Sequence, residues 1–230
     1  MVNHAQQQDA CSILANLGST FQRGAELKTM IKLGITGGIG CGKSEVCRLL
    51  EQNGIPIIHA DLIAREMMET HAEIKSQIKE AFGEDVYPPS GGLDRKRLAE
   101  IIFEDEKARL RINQIVHPHV IEYQKKELEK LERSGKYQFA GVEAALIFEA
   151  GTENQFDVII VVAASEKTVI QRLMKRDGLS REEIMKRIAS QMPLSEKIKR
   201  ADIVVHNDGS LDELNHKVKR LLYRINNQER

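Results

Sequence analysis

Eight consecutive residues, Gly37 to Ser44, read GGIGCGKS and combine four glycines with a lysine and a serine. They match the pattern G-x-x-x-x-G-K-[ST], in which bare backbone lets N–H groups approach phosphate oxygens. We expect Lys43 to bridge the β- and γ-phosphates of ATP, and the Ser44 hydroxyl to bind Mg²⁺. The predicted nucleotide contacts are Gly38, Ile39, Gly40, Cys41, Gly42, Lys43, Ser44 and Glu45. The alternative is a glycine turn that only joins a strand to a helix.

A second candidate is the carboxylate of Asp61, in the segment His59-Ala60-Asp61 that ends the second predicted strand. Ligands of an open parallel sheet gather at the carboxyl ends of its strands, so Asp61 is expected beside the glycine loop. A carboxylate there can accept a proton from an attacking hydroxyl or help to hold Mg²⁺. Alternatively, Asp61 only caps the helix that begins at Leu62.

Arginines form a third group. Arg172 and Arg176 are four residues apart and therefore share a helix face, and Arg181 and Arg187 follow. Guanidinium groups suit the negative charge that spreads over the oxygens of a phosphoryl group in transfer. We expect at least one of these arginines to close over the nucleotide, although a solvated charged face would have a similar pattern.

The elements that must position these residues alternate between strand and helix. The predicted strands are 31–36, 55–59, 137–142, 157–163 and 202–206, and the predicted helices include 43–53, 105–133, 166–177, 180–200 and 210–228. Such alternation predicts an α/β fold with a parallel five-stranded core sheet between helical layers, a three-layer αβα sandwich of the P-loop NTPase type. The long interval after the second strand predicts a helical insertion, and 166–200 predicts a small mobile lid.

The composition narrows the class of protein. Lys+Arg and Asp+Glu are 34 each, so no overall charge favours nucleic acid or an anionic membrane as a partner. Three cysteines, at 11, 41 and 47, lack the spacing of a zinc site or a disulfide framework. Cys41 and Cys47 are expected to be reduced, in a cytoplasmic protein without a membrane segment or signal peptide. Residues 1–29 are interpreted as an N-terminal extension that precedes a kinase domain at 30–230.

The remaining pattern favours a kinase over other nucleotide-binding proteins. The N-K-x-D element of guanine-specific switches is absent from the sequence. A motor or transport ATPase usually has a hydrophobic strand that ends in aspartate, but here Val142 is followed by Glu143, and Asp157 opens its strand. Asp61 with the arginines predicts phosphoryl transfer to a hydroxyl group.

With these residues assembled, the chain resembles the dephospho-CoA kinases over about residues 31–225. The similar segments are ITGGIGCGKS, HADLIARE, GGLDRKRLAEIIFED with INQIVHPHV, ALIFEAG, and ADIVVHNDG. The resemblance implies transfer of the γ-phosphoryl group of ATP to the 3′-hydroxyl of dephospho-CoA, the last step of coenzyme A biosynthesis. It also implies that the insertion, about 65–135, binds the CoA moiety.

Individual roles follow from the same resemblance. It implies that Asp61 is the catalytic base, that Lys43 and Arg172 are catalytic, and that Arg176 and Asn207 contact the nucleotide. Arg65 and His117 fall in motifs of the acceptor side, although a histidine before Pro118 could instead cap or pack a helix junction. The sequence departs from the family pattern where His59 replaces the first aspartate of D-A-D, where Cys41 replaces serine, and where Glu143-Ala144-Ala145 replaces aspartate-x-proline.

Two rival functions stay open from the sequence. One is a P-loop kinase for a nucleoside monophosphate or a small alcohol, which a panel of acceptors would distinguish. The other is a binding module without enzymatic activity, against which the combination of Asp61 and the arginines argues. The expected partner is the small molecule dephospho-CoA, and the expected form of the protein is a monomer.

Overall fold

In the computed structural model, which describes residues 30–89 and 91–227, a single five-stranded sheet forms the centre of the molecule. All strand pairs are parallel, in the spatial order β2-β3-β1-β4-β5. The strands are β1 (Ile31–Gly37), β2 (Ile57–His59), β3 (Phe139–Glu143), β4 (Val158–Ala163) and β5 (Ile203–His206). The predicted parallel sheet is therefore confirmed. The predicted extension, 1–29, lies outside the described residues.

Helices connect the strands. They are α1 (Lys43–Gln52), α2 (Ala60–Thr70), α3 (Ala72–Phe82), α4 (Arg95–Glu104), α5 (Glu106–Arg133), α6 (Glu166–Asp177), α7 (Arg181–Ala189), α8 (Leu194–Lys199) and α9 (Leu211–Asn226). Helices α2 to α5 all lie between β2 and β3, where the sequence predicted an insertion. In the described part of the chain, no helix combines the length with the apolar character that a membrane crossing requires.

Side chains alternate between the two faces of the sheet and thereby form two apolar layers. On one face, Leu33 and Ile35 pack with side chains of α1, α6 and α9, among them Val46, Leu173 and Val218. On the other face, the packing partners of β2 and β3 come mainly from the insertion helices. The observed helix–sheet–helix sandwich is the predicted three-layer architecture.

Proline accounts for two differences from the predicted elements. The predicted helix 180–200 is two helices, because Pro193 caps α8 and its ring disfavours helical backbone in the residue before it. The second strand starts at Ile57 rather than Ile55, after Pro56. Pro118, by contrast, lies inside α5, which continues through it from Glu106 to Arg133. The idea that His117 marks a helix junction is therefore wrong.

A buried ion pair ties α8 to the loop that follows β3. Lys197 is fully buried, and its Nζ lies 2.8 Å from Glu149 Oε1. The same ammonium donates to the carbonyl oxygen of Ala145 at 2.7 Å, and Glu149 Oε1 also accepts from the backbone N–H of Met192 at 2.9 Å. One carboxylate therefore compensates a buried charge and fixes the chain between α7 and α8.

Removal of that carboxylate should destabilise the protein. In Glu149→Gln, the buried Lys197 ammonium keeps the Ala145 carbonyl but loses its counter-charge. Breaking a buried pair in this way typically costs about 3–5 kcal/mol. The matched control is Glu196→Gln, since Glu196 pairs with Lys199 on the surface and should cost less than about 1 kcal/mol. Urea unfolding of the two variants would contradict the interpretation if their free energies of unfolding fell equally.

Candidate functional site

A cleft of about 1120 Å³ opens at the carboxyl edge of the sheet. It collects most of the residues that the sequence analysis selected: Ile39, Gly40, Gly42, Lys43, Ser44, Glu45, Asp61, Arg65, Arg172, Arg176 and Asn207. Cys41 is buried in the loop beneath the cleft, and His117 lies in a neighbouring pocket. Residues that are far apart in sequence therefore surround one volume.

The glycine loop connects β1 to α1, and its conformation depends on left-handed backbone. Gly40 and Gly42 have φ values of 72° and 89°, and Gly42 is the N-cap of α1. A Cβ on Gly42 would collide with Asn207 Nδ2, so the position requires glycine for space as well as for its dihedral angles. The free N–H groups at the start of α1 make the loop an anion-binding site.

Lys43 is the cation nearest the loop. Its Nζ donates to the carbonyl oxygens of Gly37 and Gly38, both at 3.3 Å. Burial lowers the pKa of Lys43, while the carboxylates of Asp61 and Glu143 oppose that change. An anion in the cleft would add further stabilisation to the charged ammonium, so the side chain is suited to phosphate.

Arg172 and Asn207 form a second layer over the loop. Asn207 is buried, and its Nδ2 donates to the carbonyl oxygen of Cys41 at 2.9 Å. Arg172 Nη2 donates to Asn207 Oδ1 at 3.5 Å, and the buried Nη1 has no hydrogen-bond partner among the described residues. A buried guanidinium nitrogen without an acceptor is costly unless a ligand supplies one. Nη1 would lie 3.7 Å from a Cβ on Gly42, so this donor is next to the phosphate loop.

Two positions that depart from the family pattern are in contact with each other. His59 Nδ1 lies 2.6 Å from Glu143 Oε2, and the Ser44 hydroxyl donates to Glu143 Oε1 at 3.1 Å. His59 Nε2 lies 3.3 Å from Glu51. Burial opposes the imidazolium, but the hydrogen bonds to Glu143 and Glu51 outweigh it and raise the pKa of His59. Glu143 is thus held on both oxygens at the carboxyl end of β3.

The acceptor-side candidates lie around Asp61. Asp61 is in the first turn of α2, immediately after β2, and lines the main cleft together with Arg65. It also lines a neighbouring pocket of about 80 Å³ with His117 from α5. Burial lowers the pKa of His117, against the opposing effect of the Asp61 charge. Asp61 therefore lines the cleft of the phosphate loop on one side and the pocket of the partly buried His117 on the other.

Other predicted contacts have partners within the protein. Arg176, on the rim of the cleft, forms a fork with Asp177 through bonds of 2.7 and 2.8 Å. Glu45 accepts from Arg48 one turn along α1. Burial raises the pKa of the Cys41 thiol, which favours its neutral form. Arg187 also lines the cleft, and among the lid-segment arginines Arg172 has a buried donor without a described partner next to the loop.

Sequence reasoning missed Glu143 and Gln191. Glu143 was set aside because a motor ATPase would have aspartate at the end of that strand. The argument that placed Asp61 in the site, its position at the carboxyl end of a strand, applies equally to Glu143. Gln191 Oε1 accepts the N–H of Ile39 at 3.1 Å, which links the segment after α7 to the glycine loop. No local pattern in the sequence indicates that contact, since 152 positions separate the two residues.

Comparisons with known proteins match the chain to one family. A family model described as dephospho-CoA kinase matches residues 31–213. A dephospho-CoA kinase of Bacillus cereus is 42% identical over 183 residues, which cover 80% of this chain and 91% of the relative. One from Geobacter sulfurreducens is 41% identical over 82% of this chain and 95% of its own length.

Two solved structures are similar to most of the chain. The crystal structure of TT1252 from Thermus thermophilus is similar with a TM-score of 0.72 and 36% identity, over 86% of this chain and 98% of the other. A dephospho-CoA kinase from Campylobacter jejuni is similar with a TM-score of 0.64 and 27% identity, over the same shares of the two chains.

The loop geometry predicts a sharp dependence on Gly42. In Gly42→Ala, left-handed backbone costs about 1–2 kcal/mol and the new Cβ collides with Asn207. We expect the affinity for ATP, measured by calorimetry, to fall by about tenfold or more, which equals about 1.4 kcal/mol or more. Gly54→Ala is the matched control, because Gly54 has a φ of 80° but a Cβ there would meet nothing within 4 Å. Equal ATP affinity of the two variants would contradict this account of the loop.

Proposed function

This chain belongs to the dephospho-CoA kinase family, and we propose that the described cleft carries its reaction with Asp61 as the base. The enzyme transfers the γ-phosphoryl group of ATP to the ribose 3′-hydroxyl of dephospho-CoA, which gives CoA and ADP in the last step of coenzyme A biosynthesis. The observation that carries the proposal is the convergence of the glycine loop, Asp61 and Arg172 on one cleft within the matched residues 31–213.

Nucleotide binding starts at the loop. Backbone N–H groups between Gly38 and Ser44 hold the phosphates, and Lys43 turns from its carbonyl partners toward the β- and γ-oxygens. Arg172 contributes the unpaired Nη1 donor to the γ-phosphoryl group. The transferring group is surrounded by positive charge before chemistry starts, so these residues stabilise the transition state by electrostatics rather than by bond formation.

The oxygen atoms beside the loop fit Mg²⁺. Ser44 supplies a hydroxyl, and the carboxylates of Glu143 and Asp61 adjoin it in the cleft. Hard oxygen donors with room for water are what Mg²⁺ requires. When bound, the ion neutralises charge on the β- and γ-phosphate oxygens. We assign Ser44 as a direct ligand, with Glu143 as the carboxylate that orients the Ser44 hydroxyl or a metal-bound water.

Asp61 performs the proton step. Its carboxylate, exposed to the cleft at the start of α2, accepts the proton of the 3′-hydroxyl as the oxygen attacks phosphorus. With a loose transition state, orientation of the hydroxyl contributes more than its deprotonation. Arg65 and His117 are assigned to the acceptor, since Arg65 shares the main cleft with Asp61 and His117 shares the neighbouring pocket with it.

Larger units have corresponding roles. The insertion, about 65–135, binds the CoA moiety, and the lid, about 166–200, closes over ATP to exclude water, with Arg176 and Asn207 on the nucleotide side. The free thiols of Cys41 and Cys47 support a reducing, cytoplasmic location. We propose a monomer as the working unit.

The base assignment predicts the behaviour of Asp61→Asn. We expect turnover to fall by about a hundredfold or more, since an amide cannot accept the proton, with ATP affinity nearly unchanged. ADP release and the mass of the phosphorylated product would be followed together, with Asp212→Asn on the exposed start of α9 as the control. A near wild-type rate would exclude Asp61 as the base. ADP release without modified dephospho-CoA in the wild type would instead mean that water takes the phosphoryl group in the assay and that the true acceptor is another hydroxyl compound.

The contact between Ser44, Glu143 and His59 predicts a magnesium phenotype. In His59→Ala, Glu143 loses its 2.6 Å partner and gains freedom to rotate, so the Mg²⁺ concentration for half-maximal rate should rise several-fold. Mn²⁺ affinity of the ATP complex, measured by electron paramagnetic resonance, should fall in parallel. Glu51→Gln is the control, because it changes only the outer 3.3 Å contact of His59. Unchanged Mn²⁺ affinity in His59→Ala would contradict the proposal that His59 positions Glu143 for metal binding.

A further inference from the structure

A cluster of two histidines and a glutamate lies in the insertion, away from the nucleotide cleft. A ligand atom from each of His71, Glu73 and His119 lies within 4.8 Å of the other two. His71 joins α2 to α3, Glu73 is in the first turn of α3, and His119 is in α5. Three residues that can ligate a metal ion therefore converge from two different parts of the chain.

One nitrogen in this cluster lacks a partner. His71 Nδ1 is buried and has no hydrogen bond to any described residue, although a buried polar atom normally has one. The two imidazole rings are 4.8 Å apart between centroids and tilted by 51°. The unsatisfied nitrogen is therefore an independent observation that points to a ligand.

The cluster is separate from the residues assigned to phosphoryl transfer. His119 and His117 are two positions apart on α5, which places them about 200° apart around the helix axis. His117 lines the pocket with Asp61, and neither His71, Glu73 nor His119 lines that pocket or the main cleft. The ammonium of Lys75, two residues after Glu73, lies 5.3 Å from the centre of the Tyr87 ring and therefore has a partner other than the cluster.

We propose that His71, Glu73 and His119 form a binding site for Zn²⁺ or a similar borderline transition-metal ion. Two neutral imidazoles and one carboxylate match the ligand preference of Zn²⁺, and they do not match Mg²⁺ or Ca²⁺, which require oxygen ligands. Tetrahedral coordination needs ligand atoms roughly 3.4 Å apart. The present separations of up to 4.8 Å would therefore contract through side-chain rotamer changes on metal binding. Water fills the fourth position.

The site would act as a clamp within the acceptor-binding insertion. It joins the α2–α3 turn to the middle of α5, and α2 carries Asp61 in its first turn and Arg65 at its middle. A metal that binds the folded state stabilises that state by mass action. Its effect is therefore expected first on the stability of the insertion and, through α2, on the affinity for the acceptor.

The test uses the full chain without nucleotide, titrated with ZnCl₂ in a calorimeter and with Co²⁺ by visible absorption. We expect one saturable site, visible Co²⁺ bands, and a rise of roughly 5 °C in the melting temperature at Zn²⁺ concentrations about 100 times Kd. His71→Ala and His119→Ala should abolish all three effects. His216→Ala, which removes an exposed histidine on α9, should change none of them.

A variant of an exposed residue separates loss of metal binding from loss of the folded state. Glu73 is exposed, so Glu73→Gln should keep the metal-free melting temperature while it weakens Zn²⁺ binding by about tenfold, equal to about 1.4 kcal/mol. Circular dichroism of each metal-free variant establishes that it is folded. Absence of Zn²⁺ binding to the wild type would overturn the proposal. Binding that persists in both histidine variants would overturn it as well, and would assign the ion to other groups such as the cysteines.

Discussion

Parallel pairing of β2, β3 and β1 is the constraint on which the whole cleft depends. In this register, Glu143 lies opposite both Ile35 of β1 and His59 of β2. All three strands end at the same edge, so the glycine loop, Glu143 and Asp61 leave the sheet toward one volume. A shift of one residue in β3 would turn Glu143 to the opposite face and bring an apolar side chain to Ser44. The chemistry therefore depends on strand register, which hydrophobic packing on both faces enforces.

Electrostatic balance in the cleft favours an anionic ligand. Burial lowers the pKa of Lys43, Arg172 has a buried nitrogen without a partner among the described residues, and the N-terminus of α1 adds a positive dipole end. Asp61 and Glu143 offset part of this positive charge and oppose the lowering of the Lys43 pKa by burial. A polyphosphate in the cleft would supply the remaining negative charge and an acceptor for Arg172.

Local patterns were readable from the sequence, whereas contacts across long separations were not. The glycine loop and the strand-end position of Asp61 follow from a few neighbouring residues, and the sheet follows from alternating apolar runs. Gln191 reaches Ile39 across 152 positions, and His59 reaches Glu143 across 84, so only the folded chain reveals them. His71 and His119 come from segments that the sequence placed in one insertion without a relative orientation. The helix break at Pro193 is the exception among the local features: the proline indicates it, but the predicted helix 180–200 ran through it.

His59 and Glu143 each replace an aspartate of the family pattern. In the fold, the two side chains form a hydrogen-bonded pair. Glutamate is one methylene longer than aspartate, so its carboxylate reaches farther toward Ser44 and has one more torsion to restrain. An aspartate at 59 would place a second negative charge against that carboxylate and repel it. Histidine replaces the repulsion with a hydrogen bond of 2.6 Å and fixes the glutamate in position. The two departures are therefore best explained as mutually compensating, because either one alone would leave the carboxylate beside Ser44 poorly held.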